Sequence, residues 1–304
     1  MMAAERINPE LRGELRRDEP MARHTTWRVG GPADRFYRPA DRDDLAMFLR
    51  WLPDDEPLFW CGLGSNLLVR DGGIRGTVIY LQGRLDRLES LPDCRVHADA
   101  GVACAKVARF SARHGLVDAE FFAGIPGTMG GALAMNAGAF GGETWDVVEA
   151  VETVARDGVI RERAPADYRV GYRSVEPPAE EWYVGCRLAL RAGDGDAAMT
   201  RIRELLARRA ATQPMGKASC GSVFRNPEGD HAARLIESCA LKGLRRGGAV
   251  VSEKHANFIL NEGGATAADI EALAFDVRDR VRECTGVILE PEFRIAGEPA
   301  GESV

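Results

Sequence analysis

Three glycine-rich loops carry the first chemical signal. Residues 28–34 contain Gly30-Gly31-Pro32, residues 62–68 read Gly62-Leu-Gly-Ser-Asn-Leu-Leu68, and residues 123–143 hold seven glycines. Glycine at such density costs folding entropy, a cost tolerated where backbone must come close to a ligand. In the third loop Gly130-Gly131 leads into Ala-Leu-Ala-Met, a candidate first helical turn whose unpaired N–H groups suit an anion. In the second, small residues leave backbone N–H groups and the Ser65 hydroxyl to face a phosphate. Together the loops point to one extended phosphate-bearing cofactor, and a dinucleotide fits. Their spacing is neither the Rossmann fingerprint nor a P-loop. The alternative for the third loop is a tight buried turn with no ligand. Polar clusters at residues 167–174, 219–227 and 252–258 add a guanidinium, hydroxyls and an imidazole in loop-like settings, where function often resides.

The elements that must position these loops are legible from apolar periodicity. Residues up to about 19 are charged and without a sustained apolar period, so a loosely held tail or short helix is expected. Residues 43–52 place Leu45, Phe48, Leu49 and Leu52 on one helical face, and residues 57–61 form a short apolar run fit for a buried strand. Further strands are expected at 77–81, 95–100, 147–154 and 182–190, with helices at 104–114 and 197–211. Gln213-Pro214 stops the last of these. Beyond it come a helix near 232–240, strands at 249–251 and 257–261, a helix at 266–284 and a strand at 287–295. Mixed helices and strands give an α+β architecture. The expected division is a tail (1–19), a two-lobed cofactor domain (20–203, lobes about 20–83 and 84–203) and a C-terminal substrate domain (204–304).

Bulk properties exclude several function classes. A chain of 304 residues, 45% hydrophobic, buries a sizeable core. The net charge of −6 is spread over both signs, and basic pairs such as Arg208-Arg209 are too short for a nucleic-acid stripe. The seven cysteines never form a Cys-x-x-Cys pair, which argues against a zinc site or a disulfide framework and for a reducing, cytoplasmic setting. No apolar run reaches membrane-spanning length. No metal site and no membrane partner are expected, and oligomeric state is left open.

With this arrangement the chain resembles the flavin-binding fold of the vanillyl-alcohol oxidase and para-cresol methylhydroxylase group. Within it, the resemblance is to the UDP-N-acetylenolpyruvoylglucosamine reductase family. The residues that carry it are Thr26-Trp-Arg-Val-Gly-Gly-Pro-Ala33, the loop at 62–68, Ala123-Gly-Ile-Pro-Gly127 with Asn136-Ala-Gly138, Tyr172-Arg173, Gly221-Ser-Val-Phe-Arg-Asn-Pro227, His255-Ala-Asn-Phe258 and Leu289-Glu-Pro-Glu292. They run in order over about residues 24–297. Any one is weak, but together they are specific. The short stretch between Arg173 and Ser222 resembles the family's shorter type, which lacks an extra substrate-capping loop. One departure is Val175, where the family tends to place a serine two residues after the arginine.

The resemblance implies noncovalent FAD held by Arg28, Gly30, Gly31, Gly62, Leu63, Gly64, Ser65, Asn66, Gly124, Ile125, Pro126, Gly130, Gly131, Asn136, Ala137 and Gly138. It implies NADPH as hydride donor and reduction of UDP-N-acetylglucosamine enolpyruvate to UDP-N-acetylmuramate for peptidoglycan synthesis. Hydride addition to a vinyl carbon builds an enolate, which needs pre-placed positive charge or donors. Arg173 matches that need with a fixed planar fork, and Glu292, if protonated by burial, adds a hydrogen bond. Ser222 then gives the proton, and Tyr172, Lys217, Asn226, His255 and Asn257 approach the substrate. Taken singly, Arg173 reads equally well as a surface ion-pair partner, Ser222 as a turn serine and His255 as a structural histidine. Cys220 beside Ser222 has no base partner nearby and reads as packing. A covalent-flavin oxidase and a nucleotide-sugar or flavin binding module without turnover are the rival functions.

Overall fold

The computed structural model describes residues 10–301 of an α+β chain, which divides into two compact units that interleave in sequence. One takes the segment up to Arg16, Arg35–Gly62 and Gly76–Arg203; the other takes Arg17–Asp34, Leu63–Arg75 and everything from Glu204.

In the first unit, helix α1 (Arg42–Trp51) starts where the Asp41 carboxylate accepts the Asp44 N–H at 2.9 Å. Its apolar face buries Leu45, Phe48 and Leu49, and Phe48 stacks on Tyr37 at 3.6 Å. The strand Leu58–Cys61 follows and pairs in parallel with Ile74–Tyr80, giving a four-stranded sheet completed by Pro32–Arg38 and Glu14–Pro20. The last strand corrects the expectation of a loose tail or short helix. Leu11 and Leu15 pack on the buried cluster around Leu45 and Ile79, which ties the segment down; residues 1–9 lie outside the described residues.

A second, antiparallel sheet runs Ile160–Arg163, Val148–Ala155, Glu181–Ala189, Arg95–Asp99 and Leu88–Leu91. Helices α2 (Cys104–Arg113) and α3 (Met129–Ala134) belong to the same unit. His97, Asp99 and Glu152 converge on this sheet, but the Arg42 guanidinium sits among them, bonding Asp99 and, at 2.7 Å, Glu152. The cluster is an ion-pair network built around an internal cation.

The second unit is organised by α6 (Ala267–Thr285), which buries Ile270, Leu273, Ala274, Val277 and Val281. These meet Trp27, Leu68, Phe224, Leu235, Ile259 and Phe293 in one apolar core. Helix α4 (Gly195–Thr212) carries the chain into this unit and α5 (Ala232–Ser238) packs on α6. Segment 63–75 belongs here for two physical reasons. Leu67–Val69 pairs in parallel with Arg294–Ala296, and the Asp71 carboxylate accepts the N–H groups of Ala267 and Ala268, each at 2.9 Å, at the positive end of α6. The strand expected over 287–295 gives way to Arg294–Ala296, with only an isolated bridge between Pro291 and Phe224 before it.

Candidate active site

In the first unit the strands Arg169–Gly171 and Ser174–Glu176 form a hairpin with Tyr172 and Arg173 at its tip. Arg173 has φ +53°, a left-handed conformation uncommon outside glycine. Its Nη1 donates to the Asn136 carbonyl at 3.3 Å and its Nη2 to the Gly138 carbonyl at 3.0 Å. The guanidinium lies 5.3 Å from the ring centroid of Tyr172, which is 50% exposed. Val175, the departure from the family pattern, pairs opposite Val170 within this hairpin.

The glycine loop of residues 123–143 divides into positions that serve the protein and positions that face open space, Gly131 and Gly141. A Cβ on Gly124 would run into the Phe140 ring, one on Gly138 would lie 2.6 Å from the Gly142 carbonyl, and one on Gly130 would meet Ala100 Cβ at 2.9 Å. Gly62 is likewise closed by the Thr128 hydroxyl. Gly131 differs, since its nearest neighbour is Thr128 Oγ1 at 3.7 Å and the residue is exposed. The first-turn donors of α3 show the same division. Met129 N–H bonds the Val102 carbonyl and Gly130 N–H the Ala100 carbonyl, leaving Gly131. Ile125 and Ala137 are buried and Pro126 is exposed beside them.

In the second unit a backbone zipper sets the other residues. Glu292 N–H bonds the Val223 carbonyl at 2.8 Å, Arg225 N–H bonds the Glu290 carbonyl, and Phe224 bridges Pro291. This fixes Ser222, half-buried, one residue from the Glu292 contact. Asn257 clamps the zipper. Its amide accepts Phe224 N–H at 2.9 Å and donates to the Phe224 carbonyl at 2.8 Å, so this predicted substrate group spends its side chain on backbone. Asn66 does similar work by donating to the Glu292 carbonyl at 3.0 Å. Asn226 accepts the Ala232 N–H at the start of α5.

His255 stacks edge-on to Phe258, burial pushes its imidazole pKa down, and its buried Nδ1 has no hydrogen-bond partner among the described residues. Lys217 is exposed, on the rim of a cavity of about 460 Å³ with Met215, Arg245 and Lys254. Cys220 is buried, and burial together with the nearby Glu292 carboxylate raises its thiol pKa well above the ordinary value. A thiol so poor in thiolate fits packing rather than nucleophilic work.

Sequence reasoning quoted Trp27 within the Thr26–Ala33 stretch but gave it no role of its own. Fully buried, it donates Nε1 to the Ile259 carbonyl at 2.8 Å and meets Phe293 edge-on at 5.2 Å, directly after Glu292. Its signal was a large apolar side chain in the otherwise polar stretch between His24 and Arg28.

Two family descriptions match the chain: an FAD binding domain over residues 33–163, and the UDP-N-acetylenolpyruvoylglucosamine reductase C-terminal domain over 213–296. The residues present fit such a cofactor. Consecutive N–H groups of Leu63, Gly64 and Ser65 make no hydrogen bond with the described residues, and Gly64 is buried; such an orphaned row calls for an anionic acceptor. Gly131 offers backbone that a side chain would obstruct.

The UDP-N-acetylenolpyruvoylglucosamine reductase of Alkalilimnicola ehrlichii is 65% identical over 98% of this chain and 99% of its own. That of Methylococcus capsulatus is 61% identical over 97% of each. The crystal structure of the Thermus caldophilus enzyme superposes with a TM-score of 0.79 at 35% identity, over 94% of this chain and 99% of that one. Near-complete coverage at such identity leaves no room for a different architecture, and the chain belongs to the UDP-N-acetylenolpyruvoylglucosamine reductase family.

Proposed function

We propose that the protein reduces UDP-N-acetylglucosamine enolpyruvate to UDP-N-acetylmuramate with NADPH, a step of peptidoglycan synthesis in the cytoplasm. In balance, the vinyl carbon gains a hydride, the adjacent carbon gains a proton, and NADPH leaves as NADP⁺. Bound FAD supplies the two-electron relay between NADPH and substrate. Arg173 grips the substrate carboxylate and the negative charge that grows on it, because its guanidinium stays charged and presents two parallel donors. Glu292 in its protonated form donates to the same oxygens. Ser222 delivers the proton to carbon, a task for which a high intrinsic pKa suffices because an enolate is strongly basic. Tyr172, Lys217 and His255 are assigned to substrate contact.

The observation that supports this reading best is the zipper that fixes Ser222 beside the Glu292 backbone contact. No helix among the described residues is long and apolar enough to cross a membrane. The test is NADPH oxidation that depends on added enolpyruvyl substrate; oxidation indifferent to that substrate overturns the assignment. Purified protein is expected to show an oxidised-flavin spectrum, with the chromophore released into the supernatant on acid precipitation.

The contrast between neighbouring glycines gives a second expectation. Gly131→Leu should fold normally and lose FAD, since its side chain would project into open space at the cofactor's proposed seat. Gly130→Leu should instead lower the melting temperature, because its side chain would collide with Ala100. Full FAD retention in Gly131→Leu removes that position from the site.

A further inference from the structure

We propose that Asn136 is a positioning residue for Arg173, acting as the clamp that holds the tip of the arginine's hairpin; this rests on the role assigned to Arg173 above. Asn136 lies in the glycine loop and reads from sequence as a cofactor residue. Its side chain is 2% exposed and fully engaged by the protein. Nδ2 donates to the Gly171 carbonyl at 3.1 Å and to Glu143 Oε2 at 2.7 Å, while Oδ1 accepts the Trp145 N–H at 3.1 Å. The backbone carbonyl of the same residue accepts from Arg173 Nη1. One residue therefore grips both sides of the tip: the amide holds the backbone before Tyr172, and the carbonyl holds the guanidinium after it.

Two observations make this grip necessary. Arg173 sits at φ +53°, where a residue with a Cβ needs surrounding structure to hold it. Asn136 sits at φ +45°, which asparagine tolerates better than other residues with a Cβ. No other side chain supplies two donors and an acceptor from that backbone state at this size. Trp145, anchored by Nε1 to the Leu133 carbonyl and packed on Tyr168, holds the far side of the amide. A guanidinium displaced by about 1 Å from a developing enolate loses up to about 100-fold in rate.

The test is Asn136→Asp. The substitution removes the donor to Gly171 and sets a carboxylate against Glu143. The other charged groups around it are Asp146, which exchanges capping bonds with Glu143, and the Arg173 guanidinium. Two facing carboxylates share one proton, so the pair's upper pKa rises above the ordinary carboxylate range. The protonated pair restores a donor. In this variant reoxidation of the flavin by enolpyruvyl substrate should therefore recover as pH falls and be lost as pH rises through that pKa, by about 10- to 100-fold. The wild type lacks this facing pair, so any limb set by Glu292 is common to both proteins and the variant's is read as an additional one. FAD content and reduction by NADPH should stay within about twofold of wild type.

Adding Glu143→Gln should abolish the limb. Asn136→Ser, which cannot reach both partners, should give slow reoxidation without it and serves if the aspartate variant folds poorly. The inference is overturned if Asn136→Asp reoxidises like wild type from about pH 6 to about pH 9. It is also overturned if both half-reactions slow equally with a lowered melting temperature and no pH limb. Arg173→Ala, run in parallel, separates the two levels. Wild-type reoxidation there sinks the arginine's role and this inference with it, whereas a crippled Arg173→Ala beside a normal Asn136→Asp sinks this inference alone.

Discussion

Replacing Ser222 by alanine is expected to leave flavin reduction by NADPH at the wild-type rate and to slow reoxidation by enolpyruvyl substrate by about 10²- to 10⁴-fold, the usual worth of a positioned general acid. The fold should be indifferent to the change. The position of residue 222 is set by main chain, through Val223 N–H to the Asn257 carbonyl and Glu292 N–H to the Val223 carbonyl, and neither bond uses the hydroxyl. Ser222→Cys offers a more acidic but larger donor and should regain part of the rate. Stopped-flow absorbance at saturating substrate follows each half-reaction separately, so a binding defect is not mistaken for a chemical one. A variant slow with NADPH but normal with the enolpyruvyl substrate would exclude Ser222 as proton donor.

The fold was more legible in the sequence than the site. Helix α1 came within a residue of its apolar period, and α6 began within a residue of its expected start, where the Thr266 side chain accepts Asp269 N–H at 3.0 Å. These signals are local, and local signals survive in a single sequence. The interleaving of the units rests on Leu67–Val69 pairing with Arg294–Ala296 and on Asp71 capping α6, contacts between residues about two hundred positions apart that no local window contains.

For the site, residue type alone cannot separate a ligand from a clamp. Asn66, Asn136 and Asn257 were all read as touching cofactor or substrate. In the structure each bonds protein backbone: the Glu292 carbonyl, the Gly171 carbonyl and both polar atoms of the Phe224 peptide backbone. The same ambiguity holds for glycine, whose missing Cβ faces open space at Gly131 and admits another part of the protein at Gly130 or Gly138. Trp27 was given no role because burial is a tertiary property, and a lone tryptophan between threonine and arginine carries no period.

Arg173→Lys should fail as a conservative substitution. Lysine keeps one positive charge but loses the planar pair of donors, and with them the two bonds to the Asn136 and Gly138 carbonyls that fix the group's direction. Loss of one preorganised donor at a developing oxyanion costs about 2.7–4 kcal/mol, or about 10²- to 10³-fold in rate, and reoxidation by substrate should fall by that amount while reduction by NADPH is spared. Arg173→Gly tests whether the effect is chemical. At φ +53° glycine relieves backbone strain of order 1 kcal/mol, which offsets the loss of a half-buried side chain's hydrogen bonds. Its melting temperature should therefore stay near wild type even as turnover collapses. Calorimetry and stopped-flow on the same preparations decide the matter: a destabilised glycine variant with unimpaired reoxidation would make Arg173 a structural strut, whereas a stable and inactive one leaves electrostatic stabilisation as its role.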